Sequence, residues 1–188
     1  IGADASNHYE HTQALIAKLG QLINRDEGTL VLFASRRQME AVAADVEIDT
    51  PHSILVQGNY SHSEIMRRHK ERIDQGDGSV VFGLASFAEG LDLPGDYCRH
   101  VVIAKLPFAV PDDPLQAAQS EWLESQGLKP FQVMSLPDAS LRLIQACGRL
   151  LRTEQDSGRV TILDRRLVTK FYGRQLLDSL PPFRREIA

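Results

Sequence analysis

Five short runs of apolar residues are separated by longer segments in which apolar positions recur every three or four residues. The runs at 30–34, 54–56, 79–84, 101–105 and 160–163 predict strands, and their near-continuous hydrophobicity fits strands covered on both faces. The segments at 8–24, 36–46, 62–74, 113–126 and 138–151 carry the helical period, and a further helix is predicted near 170–179. Turn residues punctuate the boundaries: Asp26-Glu27-Gly28 precedes the first strand, Asp74-Gln75-Gly76-Asp77-Gly78 the third, and Asp156-Ser157-Gly158 the last. Such alternation predicts an α/β domain, a mainly parallel sheet between two helical layers. Ligands of open α/β sheets gather beyond the carboxyl ends of the strands. Here those ends lead into Ser35-Arg36-Arg37, Gln57-Gly58 and the segment 85–95.

Composition narrows the picture. At 188 residues and 43% hydrophobic, the chain is most simply one domain, 1–188, with one good-sized core. A formal charge of −4 argues against a protein that coats nucleic acid electrostatically, so any DNA contact must be local or shared with another domain. The two cysteines, Cys98 and Cys147, form no Cys-x-x-Cys pair, which indicates neither a disulfide framework nor zinc and makes the cytoplasm the expected compartment. No metal site is expected: His8 and His11 share a possible helix face but read as exposed side chains. No run approaches the ~20 apolar residues of a membrane span. The opening Ile1-Gly2-Ala3-Asp4 lacks an initiator Met and reads as the start of a fragment.

Candidate chemistry concentrates in and just after the predicted helix 138–151. At about 100° per residue, Arg142, Gln145, Arg149 and Arg152 fall in one sector, opposite Leu143, Ile144, Ala146, Cys147, Leu150 and Leu151. The plain alternative is a solvated basic face. Gly148 costs about 1 kcal/mol in a helix interior, and its presence suggests a backbone that must approach another surface. Arginine's planar fork holds two phosphate oxygens at once. The segment Ser86-Phe87-Ala88-Glu89-Gly90-Leu91-Asp92-Leu93-Pro94-Gly95 reads as a loop whose glycines allow close approach and whose Glu89 and Asp92 offer acceptors. Ser35 is placed to cap the next helix and present backbone N–H groups to a phosphate. The run from Arg67 to Arg72 reads as a solvated helix face diluted by Glu64, Glu71 and Asp74. No phosphate-cradling Gly-x-x-x-x-Gly-Lys-Ser/Thr run is present and no Asp-Glu pair follows an apolar strand to hold Mg²⁺, so this chain alone is expected not to hydrolyse ATP.

In order, these segments resemble the C-terminal motor domain of the XPD/DinG family of superfamily 2 DNA helicases, in its DinG-type branch. Residues 29–38 (TLVLFASRRQ) look like its motif IV, 86–95 (SFAEGLDLPG) its motif V and 145–152 (QACGRLLR) its motif VI. Lys105-Leu106-Pro107-Phe108, Pro111-Asp112-Asp113-Pro114 and the stretch 162–167 also match, so the likeness runs from about residue 29 almost to the end.

The resemblance implies a RecA-like α/β/α domain that closes over ATP and Mg²⁺ held mainly by a first RecA-like domain outside this chain. Arg149 and Arg152 would be arginine fingers and Gln145 would position the attacking water or terminal phosphate. Gly90, Asp92 and Glu89 would lie at the nucleotide edge; Ser35, Arg36, Ser86 and Phe87 would contact single-stranded DNA. It further implies 5′ to 3′ unwinding of forked or displaced-strand DNA in the bacterial cytoplasm, associated with the nucleoid, and a [4Fe-4S] cluster whose four cysteines belong to the rest of the protein. The alternative reading is a non-catalytic RecA-like docking or DNA-binding module. A self-sufficient phosphate-loop kinase is opposed by the missing loop.

Overall fold

The computed structural model describes residues 3–109, 114–150 and 156–187. Among these, Arg152 of the predicted site is not included, nor are Pro111, Asp112 and Asp113 of the Pro-rich motif. In chain order the elements are α1 (His8–Leu22), β1 (Gly28–Phe33), α2 (Arg36–Asp45), β2 (Leu55–Val56), α3 (His62–Asp74), β3 (Ser79–Leu84), α4 (Ala85–Glu89), β4 (His100–Ile103), α5 (Pro114–Ser125), α6 (Leu136–Cys147), β5 (Arg159–Ile162), α7 (Arg166–Thr169) and α8 (Gly173–Ser179). A 3₁₀ turn, Gly95–Cys98, leads into β4, and a π-helical turn, Phe131–Ser135, into α6.

All five strands pair in parallel, in the order β2-β3-β1-β4-β5. Strand side chains alternate faces, and the core divides accordingly. Leu30, Leu32, Val81, Val101 and Ile103 pack with Ile65 of α3, Ala88 of α4, Leu143 and Cys147 of α6 and Leu176 of α8. Their neighbours Val31, Phe33, Val80, Phe82 and Val102 pack with Leu15 and Leu19 of α1 and Met39 and Val42 of α2. The result is a three-layer α/β/α sandwich. Every residue of β1 is buried, as expected of a central parallel strand.

Three expectations are corrected. The segment after β3 is not all loop: 85–89 form α4, a single turn whose Ala88 is 2% exposed. The predicted helix 138–151 is shifted: α6 starts at Leu136 with Pro137 in its first turn and ends at Cys147, Gly148 being its C-cap. Gly148 meets no close neighbour within the described chain, since a Cβ there would touch only the carbonyls of Ile144 and Gln145 at 3.4 Å. Finally, His11 is not exposed. It is fully buried; its Nε2 lies 2.9 Å from the carbonyl oxygen of Leu163 and its Nδ1 3.1 Å from Gln38 Nε2, joining α1 to the end of β5 and to α2. Burial pushes its pKa down.

Candidate functional site

Because all strands run one way, the segments after β1, β2, β3, β4 and β5 emerge at a single edge. Ser35 caps α2 by accepting a hydrogen bond from Gln38 N at 3.3 Å. Arg36 and Arg37 are exposed, and among the described residues neither is joined to a carboxylate. Gly58, with φ +101°, lets the β2 loop pass beneath the Arg36 guanidinium, where a Cβ would come within 3.0 Å of Nη1. Beside it, Gln57 Oε1 accepts from Leu84 N at 2.8 Å and pins the end of β3 to that loop.

From β3 the chain turns into α4. Ser86 and Glu89 are exposed there, whereas Phe87 folds back, half-buried, against the strand. Its ring lies 4.9 Å from the His62 ring. Gly83 makes this possible, since a Cβ there would sit 2.5 Å from Phe87 Cδ1. Gly90 faces the same imidazole: its own Cβ would meet His62 Cε1 at 2.7 Å. His62, which sequence reasoning passed over, therefore joins α3 to the predicted nucleotide and DNA residues. Only the contacts of a folded chain reveal it. Leu91 and Leu93 anchor the following segment in the core, leaving Asp92 exposed between them.

The row on α6 meets this segment from the side. Gln145 is exposed and Arg149 half-buried. Arg149 Nη1 donates to the carbonyl oxygens of Glu89 at 3.2 Å and Leu91 at 3.4 Å. Among the described residues the guanidinium engages no carboxylate. Arg142, in contrast, is tied to Asp138 at 2.9 Å one turn earlier. A small cleft, with room for about 20 Å³, lies between Leu32, Ala85, Ala88, Glu89, Arg142, Gln145 and Arg149. That volume holds about one water molecule. The described chain thus brings together Gln145, Arg149, Glu89 and the segment through Asp92, while Ser35 and Arg36 lie farther along the same edge.

The basic run of α3 is committed internally. Arg67 pairs with Glu64 and Glu71, and Arg68 with Glu64. Hydrogen bonds from Arg67 and Arg68 hold the Glu64 carboxyl well below its usual range. His69 of the same run is buried, 2.7 Å from the Tyr97 carbonyl oxygen, and burial lowers its pKa to about 4. At the other end of the edge, buried Asp164 accepts from Leu106 N at 2.9 Å and from Arg166 Nη2 at 2.7 Å. Burial opposes its ionisation, but these bonds outweigh it and keep the carboxyl below its ordinary value. The loops after β4 and β5 are thereby locked together. Cys98 and Cys147 are both buried, and burial pushes the Cys147 thiol up to about 11. Two core thiols do not fit a cluster that needs four cysteine ligands.

Comparison with known proteins agrees with this architecture. Residues 19–183 match the family model described as a helicase C-terminal domain. Over 179 residues the chain is 45% identical to the ATP-dependent DNA helicase DinG of Photobacterium profundum, a match covering 94% of this chain and 26% of that protein. It is 47% identical over 156 residues to the ATP-dependent DNA helicase DinG of Escherichia coli, covering 83% and 22% respectively. The chain therefore spans about a quarter of the length of these relatives. Among solved structures, XPD_APO superposes with a TM-score of 0.65 at 20% identity, over 89% of this chain and 33% of that one. S. tokodaii Xpd4 gives 0.60 at 18%, over 95% and 33%. These two show the shared fold.

Proposed function

Since the chain belongs to the helicase C-terminal domain family, we propose that it is the second motor domain of a DinG-type, ATP-dependent 5′ to 3′ DNA helicase. The observation that carries the reading is Arg149. Among the described residues its guanidinium is held by carbonyl oxygens and no carboxylate, in a cleft with Gln145, which leaves its charge available for a phosphate.

ATP and Mg²⁺ bind mainly to a first RecA-like domain elsewhere in the protein, and this chain closes over them. Arg149 swings to the γ-phosphate, joined by Arg152, and Gln145 orients the attacking water. Glu89, Gly90 and Asp92 line the nucleotide edge. Once the domains have closed, the donors are in place before charge develops in the transition state, so little reorganisation is needed at the moment of reaction. Ser35, Arg36, Ser86 and Phe87 face single-stranded DNA, chiefly its phosphates, which position the strand without reading its sequence. The [4Fe-4S] cluster belongs to the remainder of the protein, and forked or displaced-strand DNA in the bacterial nucleoid is the substrate.

Closure and reopening are linked to DNA through the Arg149 contacts. When the guanidinium leaves the carbonyls of Glu89 and Leu91, it withdraws two hydrogen bonds from the segment that joins the nucleotide edge to Ser86 and Phe87. Each turnover thus alters the grip on the strand. DNA-stimulated ATP turnover of the full-length protein and its Arg149→Ala variant tests the proposal. A variant as active as the parent overturns it. A non-catalytic docking module is disfavoured by Arg149, whose charge meets no carboxylate among the described residues, an arrangement a scaffold does not need.

A further inference from the structure

A second feature lies at the same edge, beyond β4 and β5, on residues none of the motifs assigns to DNA. Four aromatic rings meet there. Phe108 follows β4, Phe131 opens the π-helical turn, and Phe171 and Tyr172 form the corner between α7 and α8. Their centroids lie 5.2–5.6 Å apart for Phe131–Tyr172, Phe171–Tyr172, Phe108–Tyr172 and Phe108–Phe131, and 6.3 Å for Phe131–Phe171. Tyr172 is buried, but Phe171 is 75% exposed.

The exposed ring nonetheless packs against two others, Tyr172 and Phe131. Tyr172 meets it edge-on at 78°. The corner that carries both is tight: a Cβ at Gly173 would fall 1.9 Å from the Leu167 carbonyl oxygen, and Gly173 N bonds to Lys170 O at 3.0 Å.

The surroundings are cationic. From 164 to 178 the sequence holds Arg165, Arg166, Lys170 and Arg174 against Asp164 and Asp178, a local excess of two positive charges in a chain whose net charge is −4. The Arg166 guanidinium lies 5.5 Å from the Phe108 ring centre. Among the described residues Arg174 reaches only the exposed Asp178, at 3.7 Å. A single exposed phenylalanine needs no explanation. One set against the rings of Phe131 and Tyr172 and flanked by Lys170 and Arg174 has the make-up of a single-strand binding surface, where bases stack on aromatic faces and cations track the phosphates.

Position supports the same ligand. β5 lies two strands from β1, about 10 Å away at normal strand spacing, and its carboxyl end opens on the edge that carries Ser35 and Arg36.

We infer that Phe171 is a stacking platform for one base of single-stranded DNA, with Lys170 and Arg174 holding the adjoining phosphates. This rests on the DNA-translocating function and extends its track across β4 and β5.

The test is fluorescence anisotropy of a labelled oligothymidylate with this chain at low salt. Phe171→Ala should weaken binding at least about fivefold without changing thermal melting, because the ring is exposed. Phe171→Trp, in a Trp122→Phe background, should retain affinity and show quenched emission on adding the oligonucleotide. Lys170→Ala with Arg174→Ala should reduce the slope of log affinity against log salt by about 1.4. If Phe171→Ala binds like the parent while Arg36→Ala binds more weakly, the platform is overturned and the DNA function stands; the ring then belongs to a protein contact. Unquenched emission also overturns it. Failure of the parent chain itself to bind overturns both readings.

Discussion

Arg149 donates to the backbone carbonyl of Glu89 at 3.2 Å, across sixty positions of sequence. This bond joins the end of α6 to the segment after β3 without using any side-chain charge on the acceptor side. The guanidinium therefore has a place to rest and, among the described residues, no ionic partner to abandon when a phosphate arrives.

In the full-length protein, Arg149→Ala should lower DNA-stimulated ATP turnover about 10³-fold or more. Lysine should rescue little, because it keeps charge but lacks the fork. Arg142→Ala should do far less, since Arg142 is already paired with Asp138. Steady-state ATPase assays on the three variants measure the ranking; equal effects from Arg142 and Arg149 would remove the basis for assigning the finger.

The chain on its own should turn over no ATP, since it lacks a phosphate loop and its cleft accommodates about one water molecule. Phosphate release by the purified chain, abolished by Arg149→Ala, would contradict this.

Among the basic residues, Arg36 and Arg67 should behave differently. Arg36 has no carboxylate partner among the described residues, whereas Arg67 is joined to Glu64 and Glu71. Arg36→Ala should weaken single-strand binding and reduce its salt slope by about 0.7. Arg67→Ala should leave affinity nearly unchanged. Anisotropy titrations across a salt series distinguish the two.

The packing of Phe87 on Gly83 gives a stability prediction. Gly83→Ala places a Cβ 2.5 Å from the Phe87 ring, an overpacking that should cost about 1–3 kcal/mol. Phe87→Ala removes the obstacle, so the double variant should lose less than the sum of the two. Urea unfolding of the four proteins closes the cycle.

Stability should also fall with acid because of His69. Burial lowers its folded pKa to about 4, against an unfolded value near 6.5, so the unfolded chain binds the proton more readily. The contribution is fully present above pH 6.5 and is lost as the pH falls towards 4. Between pH 7 and pH 5 the loss is about 2 kcal/mol. His69→Gln, which still offers a donor to the Tyr97 carbonyl but cannot titrate, should flatten the dependence in urea titrations at the two pH values.

The strands were legible because burial on both faces makes each a short apolar run, and the helices α1, α2 and α3 because one face of each is apolar. α4 was not. Five residues are too few to show a helical period, and the glycine and proline beyond it imitate a loop. The burial of His11 is hidden for another reason: its partners, Leu163 and Gln38, lie 152 and 27 positions away. The same separation hid the rings of Phe108, Phe131 and Tyr172 from one another. At the site, the spacing of Gln145 and Arg149 pointed to a shared face, and the structure adds what faces them. Local pattern reports which way a side chain points; only the assembled sheet reports what it meets.

The two buried thiols give the domain an internal reporter. Cys147 stands on α6, one residue before its glycine cap, and Cys98 closes the 3₁₀ turn before β4; both belong to the same side of the core. A thiol reagent cannot reach either while that side stays shut, so the labelling rate of each cysteine times the opening of its own segment. Reaction of Cys147 ahead of Cys98 would mean that α6 lifts from the sheet while β4 stays paired.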